Sequence, residues 1–311
     1  MISVVIPLYN KEQYVLETLQ SVFDQTYQDF EVIIVDDGSI DNGLQLVKSI
    51  KDPRIHIIKH LENKGLSVAR NTGIRVAKGG IISLIDADDI WKPIYLEEVV
   101  KLSKDFPKAS LFGTSYREVY SNHNVRDFNV LISTKLKNRQ FYVTDFFESS
   151  RGMPIICQSS FSFKKSIFKT IEPFDESIDF AEDVDFYIRS NLAFKMAYSY
   201  KALVNVKMDI QGQMTSQPLG MKQLPDLNSY GKENYNNHSL LKYLNFKRYM
   251  FAMKYKWDGN KKGMKFMLDS MNRSHLTIKQ RILISMPFPL FWLIRSFKLK
   301  LLRMGIRWST Y

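Results

Sequence analysis

Residues 81–89, IISLIDADD, run from an apolar stretch straight into three carboxylates, and VDDGS, residues 35–39, closes another apolar stretch with two. Working outward, the first ninety residues hold four such runs, at Ile2–Ile6, Val32–Val35, Ile55–Ile58 and Ile81–Ile85. Each is rich in Val and Ile, as strands buried on both faces are. Amphipathic stretches separate them. Val15, Leu19 and Val22 mark a first helix that Asn10 could cap, Leu44, Val47 and Ile50 a second, and Val68, Thr72 and Val76 a third. The alternation predicts an α/β fold with a Rossmann-like, mostly parallel sheet flanked by helices. Further on, a strand is predicted around Ala109–Tyr116 and helices at Lys165–Ile171 and Ala181–Ala193, followed by a strand at Lys195–Tyr200. The polar stretch Arg117–Gln140 has no readable period.

Parallel strands end on one edge of their sheet, and that edge is where such sheets bind ligands. Asp36, Asp37, Asp86 and Asp88 are therefore expected to converge on one cleft. Crowded carboxylates repel one another unless a cation or hydrogen-bond donors offset them. A hard divalent cation, Mn²⁺ or Mg²⁺, suits oxygen ligands of this kind and would bridge the phosphates of a diphosphate. Loops after strands also favour Asp and Gly for their turn geometry alone, which is the bland alternative for either pair.

The ordered set IPLYN, VDDGSIDN, NKGLSVARNTGI, LIDADDIW and FDESIDFAEDVDFYIR resembles glycosyltransferase family 2, whose catalytic domain has the GT-A fold; the likeness covers roughly residues 1–210. It implies an inverting transfer of a sugar from a nucleoside-diphosphate sugar, UDP foremost, to an acceptor hydroxyl of a growing or lipid-linked glycan. It also implies roles. Pro7, Tyr9 and Asn10 wall the nucleotide base, Asp36 or Asp37 contacts it, and Arg70 lies on the base or phosphate side. Asp86 and Asp88 form the D-x-D, with Asp88 the direct metal ligand and Asp86 nearer the ribose; Asp89 is structural. Relatives often carry a His after the last strand. Here Asp209 stands near that position, with Lys207 before it, and is the third candidate ligand.

An inverting transfer needs one carboxylate to take the acceptor's proton. Glu182, Asp183 and Asp185 open a predicted helix, where acids are favoured by the helix dipole in any case. Read through the resemblance, Asp183 is the base, Glu182 its alternate, and Arg189 a support for the helix or its acids.

The net charge is +12, and its placement matters. Residues 241–311 carry sixteen Lys/Arg against two acids, so the first 240 residues are close to neutral. Nucleic-acid enzymes are basic around their sites, so nucleic acid is not the expected partner. The lone Cys157 excludes an intramolecular disulfide framework. The first residues read as a strand, with no basic and apolar leader, which points to a cytoplasmic location. Five scattered histidines, and the want of a P-loop or G-x-G-x-x-G, leave nucleophilic, ATPase and NAD chemistry unsupported.

Three parts are expected: a catalytic domain at 1–210 (nucleotide half 1–90, acceptor half 91–210), a linker at 211–240, and a helical basic tail at 241–311. In the tail, Ile282–Ile294 is thirteen residues long and holds Pro287 and Pro289, too short and too broken to span a bilayer. The basic and aromatic residues beyond it suit a helix on the membrane surface, or else a cap packed on a domain. The rival reading from another class is a non-catalytic sugar-nucleotide-binding or scaffold subunit that kept the fold.

Overall fold

A computed structural model describes residues 1–120, 124–127, 139–210, 212–213, 217–220 and 222–303. Most of the unreadable stretch 117–140, and the end of the tail, lie outside these residues. The four apolar runs are strands β1 (Ile2–Leu8), β2 (Phe30–Asp36), β3 (Ile55–Lys59) and β4 (Ile81–Leu84). They pair in parallel in the order β3-β2-β1-β4, with Val4 of β1 opposite Val32 of β2 and Ser83 of β4. Every residue of β1 and β2 is buried. Sheet order and chain order diverge at β1, which lies between β2 and β4, and this reversal opens the ligand-binding crevice of such sheets.

The second half of the sheet is mixed. Its strands are β5 (Ile90–Trp91), β6 (Ala109–Val119), β7 (Val125–Asp127), β8 (Gln140–Tyr142), β9 (Phe161–Lys164) and β10 (Lys195–Lys207). β9 joins β4 to β6 through antiparallel pairs, whereas β10 runs parallel to β6 and antiparallel to β5.

Helices α1 (Val15–Phe23), α2 (Gly43–Ser49), α3 (Leu66–Val76) and α4 (Tyr95–Asp105) alternate with the early strands. α1 buries Val15, Leu19 and Val22 as expected. Two local expectations fail for physical reasons. Asn10 does not cap α1, which begins at Val15 after a Tyr14 cap residue without a side-chain bond. Instead its backbone is left-handed (φ 52) and its Oδ1 accepts the Ile40 N–H at 2.9 Å. In α3, Val76 is exposed, and the buried face is Ser67, Arg70, Asn71 and Ile74. Arg70 and Asn71 reach partners elsewhere, while Gly73 lets the helix lie on β1, since a Cβ there would overlap Val5.

α5 (Phe146–Ser149) is a single turn, and α6 (Glu182–Ala193) carries the ED pair. The predicted helix at 165–171 is a short 3-10 turn, Lys165–Lys169.

The chain forms two compact units. The first is Met1–Phe146, Ile155–Gly212 and Gln223–Pro225; the second is Phe147–Pro154, Gln213–Lys222 and Asp226–Tyr311. The expected linker 211–240 is thus not one structureless stretch. It contains α7 (Leu227–Glu233), whose start is capped by Asp226 accepting the N–H groups of Asn228 and Ser229. The rest of the second unit is α8 (His238–Trp257), α9 (Lys261–Asp269), α10 (Ile278–Ser285) and α11 (Phe288–Arg303). Asn237, Asn260 and Thr277 cap three of these helices.

Lys256, on the last turn of α8, is buried. Its ammonium donates to the carbonyls of Leu283, Ile284 and Met286 at 2.6–2.8 Å, satisfying the open end of α10. Pro287 follows that end, and Pro289 sits in the first turn of α11, where its missing N–H costs nothing. Among the described residues, no helix is long and apolar enough to cross a membrane.

Candidate active site

The first unit brings the acidic motifs together through one helix. Arg70 of α3 is 2 % exposed and bridges two of them. One terminal nitrogen donates to Glu182 Oε1 at 2.6 Å, the other to Asp86 Oδ1 at 2.9 Å, and the guanidinium lies over the Phe174 ring. Burial works to lower its pKa, but the charges of Asp86 and Glu182 outweigh burial and raise it. The next residue, Asn71, clamps the FDE segment. Its amide donates to Phe174 O and Glu176 Oε1, and its Oδ1 accepts the Phe174 N–H. Two consecutive residues therefore tie D-x-D, FDE and ED into one cluster.

Within the D-x-D, Asp88 faces Lys11, whose Nζ is 2.6 Å from Asp88 Oδ2. Burial raises the Asp88 carboxyl above the usual carboxylate range; Lys11 opposes the rise and Asp86 adds to it. Asp89 is buried and structural, as expected, although it caps no turn. It accepts from Ser159 Oγ at 2.5 Å and from the Lys207 N–H at 3.3 Å, fixing the loop to β10. Burial, then the charges of Asp86 and Asp88, push its carboxyl well up. Ser159 also accepts the Asp86 N–H, and its carbonyl takes the Trp91 indole N–H at 2.7 Å.

At the ED pair, Ala181 is left-handed (φ 65), a conformation costing a non-glycine residue about 1 kcal/mol or more. It turns the chain sharply into α6. Glu182 is buried against Arg70. Burial raises its carboxyl, Arg70 pulls it back, and Asp183 pushes it further up. Asp183 is half-buried, and its Oδ1 accepts the Val184 N–H at 2.8 Å. Arg189 supports the helix as expected, through a two-nitrogen bond to Asp185 Oδ2 and through the carbonyls of Glu172 and Pro173.

The base-side loops are also joined. Asn10 N–H donates to Ser39 Oγ at 3.2 Å, with Tyr9 exposed beside it and Pro7 inside β1. Asp37 is held by His60 Nδ1 at 2.7 Å and by the N–H groups of Lys64 and Gly65. Asp36 Oδ1 accepts from Ser39 N–H, while its Oδ2 is buried without a partner. Gly38 between them has φ 73, and a Cβ there would strike the Glu62–Asn63 backbone.

Asp209 follows β10 in a left-handed, exposed bend (φ 59). Among the described residues no three His, Cys, Asp or Glu side chains gather as a metal group. Two partners that sequence reasoning missed are Lys11 and Ser159. Lys11 directly follows the IPLYN motif, and a cation beside a strand-end loop was the only available signal; Ser159 had none.

The family described as "Glycosyl transferase family 2" matches residues 3–172. The glycosyltransferase GlyG of Streptococcus pneumoniae serotype 4 is 36 % identical over 151 residues, covering 45 % of this chain and 50 % of GlyG. Chondroitin synthase of Escherichia coli is 31 % identical over 192 residues, 61 % of this chain and 26 % of that protein. The E. coli UDP-Glc:alpha-D-GlcNAc-diphosphoundecaprenol beta-1,3-glucosyltransferase WfaP is 32 % identical over 154 residues, 45 % of this chain and 61 % of WfaP. The chain thus spans less than two thirds of the length of each of these relatives. Among solved structures, S. aureus TarS 1-349 in complex with UDP-GlcNAc superposes with TM-score 0.67 at 17 % identity, covering 99 % of this chain and 93 % of that one. At that identity the likeness is one of fold, and the fold is GT-A. With five motifs in order, three of them locked together by Arg70 and Asn71, and the family match across more than half the chain, this protein belongs to glycosyl transferase family 2.

Proposed function

We propose that the first unit is an inverting, metal-dependent glycosyltransferase that moves a sugar from a UDP-sugar to an acceptor hydroxyl of a growing glycan. The carrying observation is the Arg70 bridge, which sets the D-x-D and the ED pair side by side with Asp183 at the edge of the cluster. Asp183 accepts the acceptor hydroxyl's proton as that oxygen attacks the anomeric carbon. Glu182, engaged by Arg70, holds the guanidinium in place. The acids of VDDGS accept the ring N–H of the base, and the loop of Pro7, Tyr9 and Asn10 walls it.

The donor set fits a hard cation. Asp88 lies beside Asp86, and its pKa stays raised despite Lys11, first through burial and then through the charge of Asp86. Two carboxylates, with the remaining ligands from phosphate and water, is how Mg²⁺-type sites are usually built. Asp88 and Asp86 would hold the ion. Bound there, Mn²⁺ or Mg²⁺ supplies positive charge to the departing diphosphate. In thermal unfolding, UDP with Mn²⁺ should raise the transition temperature, because a ligand of the folded state stabilises it. Asp88→Ala should erase the Mn²⁺-dependent part while the protein stays folded. An Asp88→Ala enzyme turning over with unchanged metal dependence removes the assignment.

The second unit supports a place at the cytoplasmic surface of a membrane, where a lipid-linked acceptor would lie. WfaP is named for such an acceptor. On α11, Leu290, Leu293 and Phe297 are exposed at helical spacing, as are Ile278 and Ile282 on α10, with Lys279 and Arg281 exposed beside them. Exposed apolar residues ringed by cations match an acidic lipid surface. The protein should float with vesicles containing acidic lipid, and Ile282→Glu with Leu293→Glu should release it. Raised salt should weaken the binding. Failure to bind acidic vesicles ends this reading.

A further inference from the structure

Lys11 is the one cation on the D-x-D that the reading above leaves without a task. Its position is built. Asn10 before it is pinned to the VDDGS loop by two hydrogen bonds. The Lys11 carbonyl accepts the N–H groups of Tyr14 and Val15, setting the turn into α1. Its ammonium is poised over the Tyr14 ring at 5.9 Å and meets Asp88 Oδ2 at 2.6 Å, with the two side chains only 15 % and 13 % exposed. A pair this sheltered is little screened by salt, and Asp88 cannot keep its ammonium and also turn the same oxygen to a metal ion.

We propose that Lys11 is a built-in counter-cation of the D-x-D, holding Asp88 in place in the free protein and yielding it when a nucleotide-borne divalent cation arrives. The proposal rests on the reading of Asp88 as a metal ligand. Two consequences follow from electrostatics. Without nucleotide, an incoming Mn²⁺ must displace an ammonium already paired, so its affinity is low. With a diphosphate present, the displaced ammonium finds new anionic oxygens, so nucleotide and metal favour each other's binding. Such coupling is reciprocal and measurable from either side. Lys11 is accordingly a positioning residue whose effect is read in metal binding rather than in turnover alone.

The test is a Mn²⁺ titration followed by the electron paramagnetic resonance of free Mn²⁺, with and without UDP. It compares the unaltered 311-residue chain with its Lys11→Met, Lys11→Gln, Lys11→Arg and Asp88→Asn variants. Circular dichroism confirms folding, and Lys11→Gln covers the case in which Lys11→Met does not fold. Without UDP, Lys11→Met and Lys11→Gln should bind Mn²⁺ about tenfold more tightly than wild type, the scale of removing one adjacent charge at a partly screened site. Lys11→Arg should match wild type. UDP should tighten Mn²⁺ binding strongly in wild type and much less in the two neutral variants. If the neutral variants bind Mn²⁺ no better than wild type while Asp88→Asn abolishes binding, the role of Lys11 is overturned and the metal site stands. If Asp88→Asn binds Mn²⁺ with UDP as well as wild type does, the metal reading fails and this inference fails with it.

Discussion

Asp183→Asn is expected to abolish sugar transfer, by roughly a thousandfold or more, while UDP and Mn²⁺ bind nearly as in wild type. General-base contributions run to about 10²–10⁴-fold, and an amide has no proton affinity to offer in place of a carboxylate. The substitution keeps shape, and the amide oxygen can still accept the Val184 N–H that Asp183 accepts, so α6 should start where it does now. Loss of kcat with unchanged donor affinity is the pattern of a group used in the transition state. Single-turnover assays with a UDP-sugar, beside a UDP titration, give both numbers. Activity surviving in Asp183→Asn but lost in Glu182→Gln would exchange the two roles. If both variants stay active, the ED pair is structural and the scaffold reading gains ground.

Arg70→Met should be the most damaging single change to stability. Among the described residues, it removes the only cation that bonds both Asp86 and Glu182, and it leaves Glu182 buried without it. Breaking a buried pair from one side costs about 3–5 kcal/mol, because the surviving charge is stranded. Here two acids lose their partner at once. Denaturant unfolding of the full chain should show a lower midpoint, and adding Glu182→Gln to Arg70→Met should recover part of the loss, since a neutral amide is far cheaper to bury. Arg70→Lys should fall between, because an ammonium lacks the planar fork that spans two carboxylates. A wild-type midpoint for Arg70→Met would mean that the bridge contributes no stability.

β1 and β2 were legible because most positions buried on both faces of a parallel sheet are apolar, and Val and Ile dominate them; β3, less buried, was legible from its three isoleucines alone. The strand-end acids were legible for the complementary reason that such positions seldom tolerate clusters without use. Helix α3 misled because the period argument assumes that the inward face is apolar. Its inward face includes Ser67, Arg70 and Asn71, and the burial of Arg70 and Asn71 is made tolerable by Asp86, Phe174, Glu176 and Glu182, sixteen to more than a hundred residues away. No local pattern announces partners that distant. Lys11 escaped notice for the same reason, since its task depends on Asp88, seventy-seven residues on. Asn10 looked like a cap from composition, yet a left-handed backbone sends its side chain to Ile40 instead.

The lysine buried at the end of α8 decides where this polypeptide can be shortened. Lys256 spends all three of its protons on carbonyls between residues 283 and 286. A stop codon near Asn272, attractive for shedding the sticky cationic end, would delete every one of those acceptors, together with the Phe288 and Phe291 rings that lie against the ammonium. Solubility gained that way would come with a loosened helical unit, and any loss of lipid binding would say nothing about lipids. Expression boundaries belong beyond Met286, with stickiness reduced by exchanging exposed apolar residues one at a time.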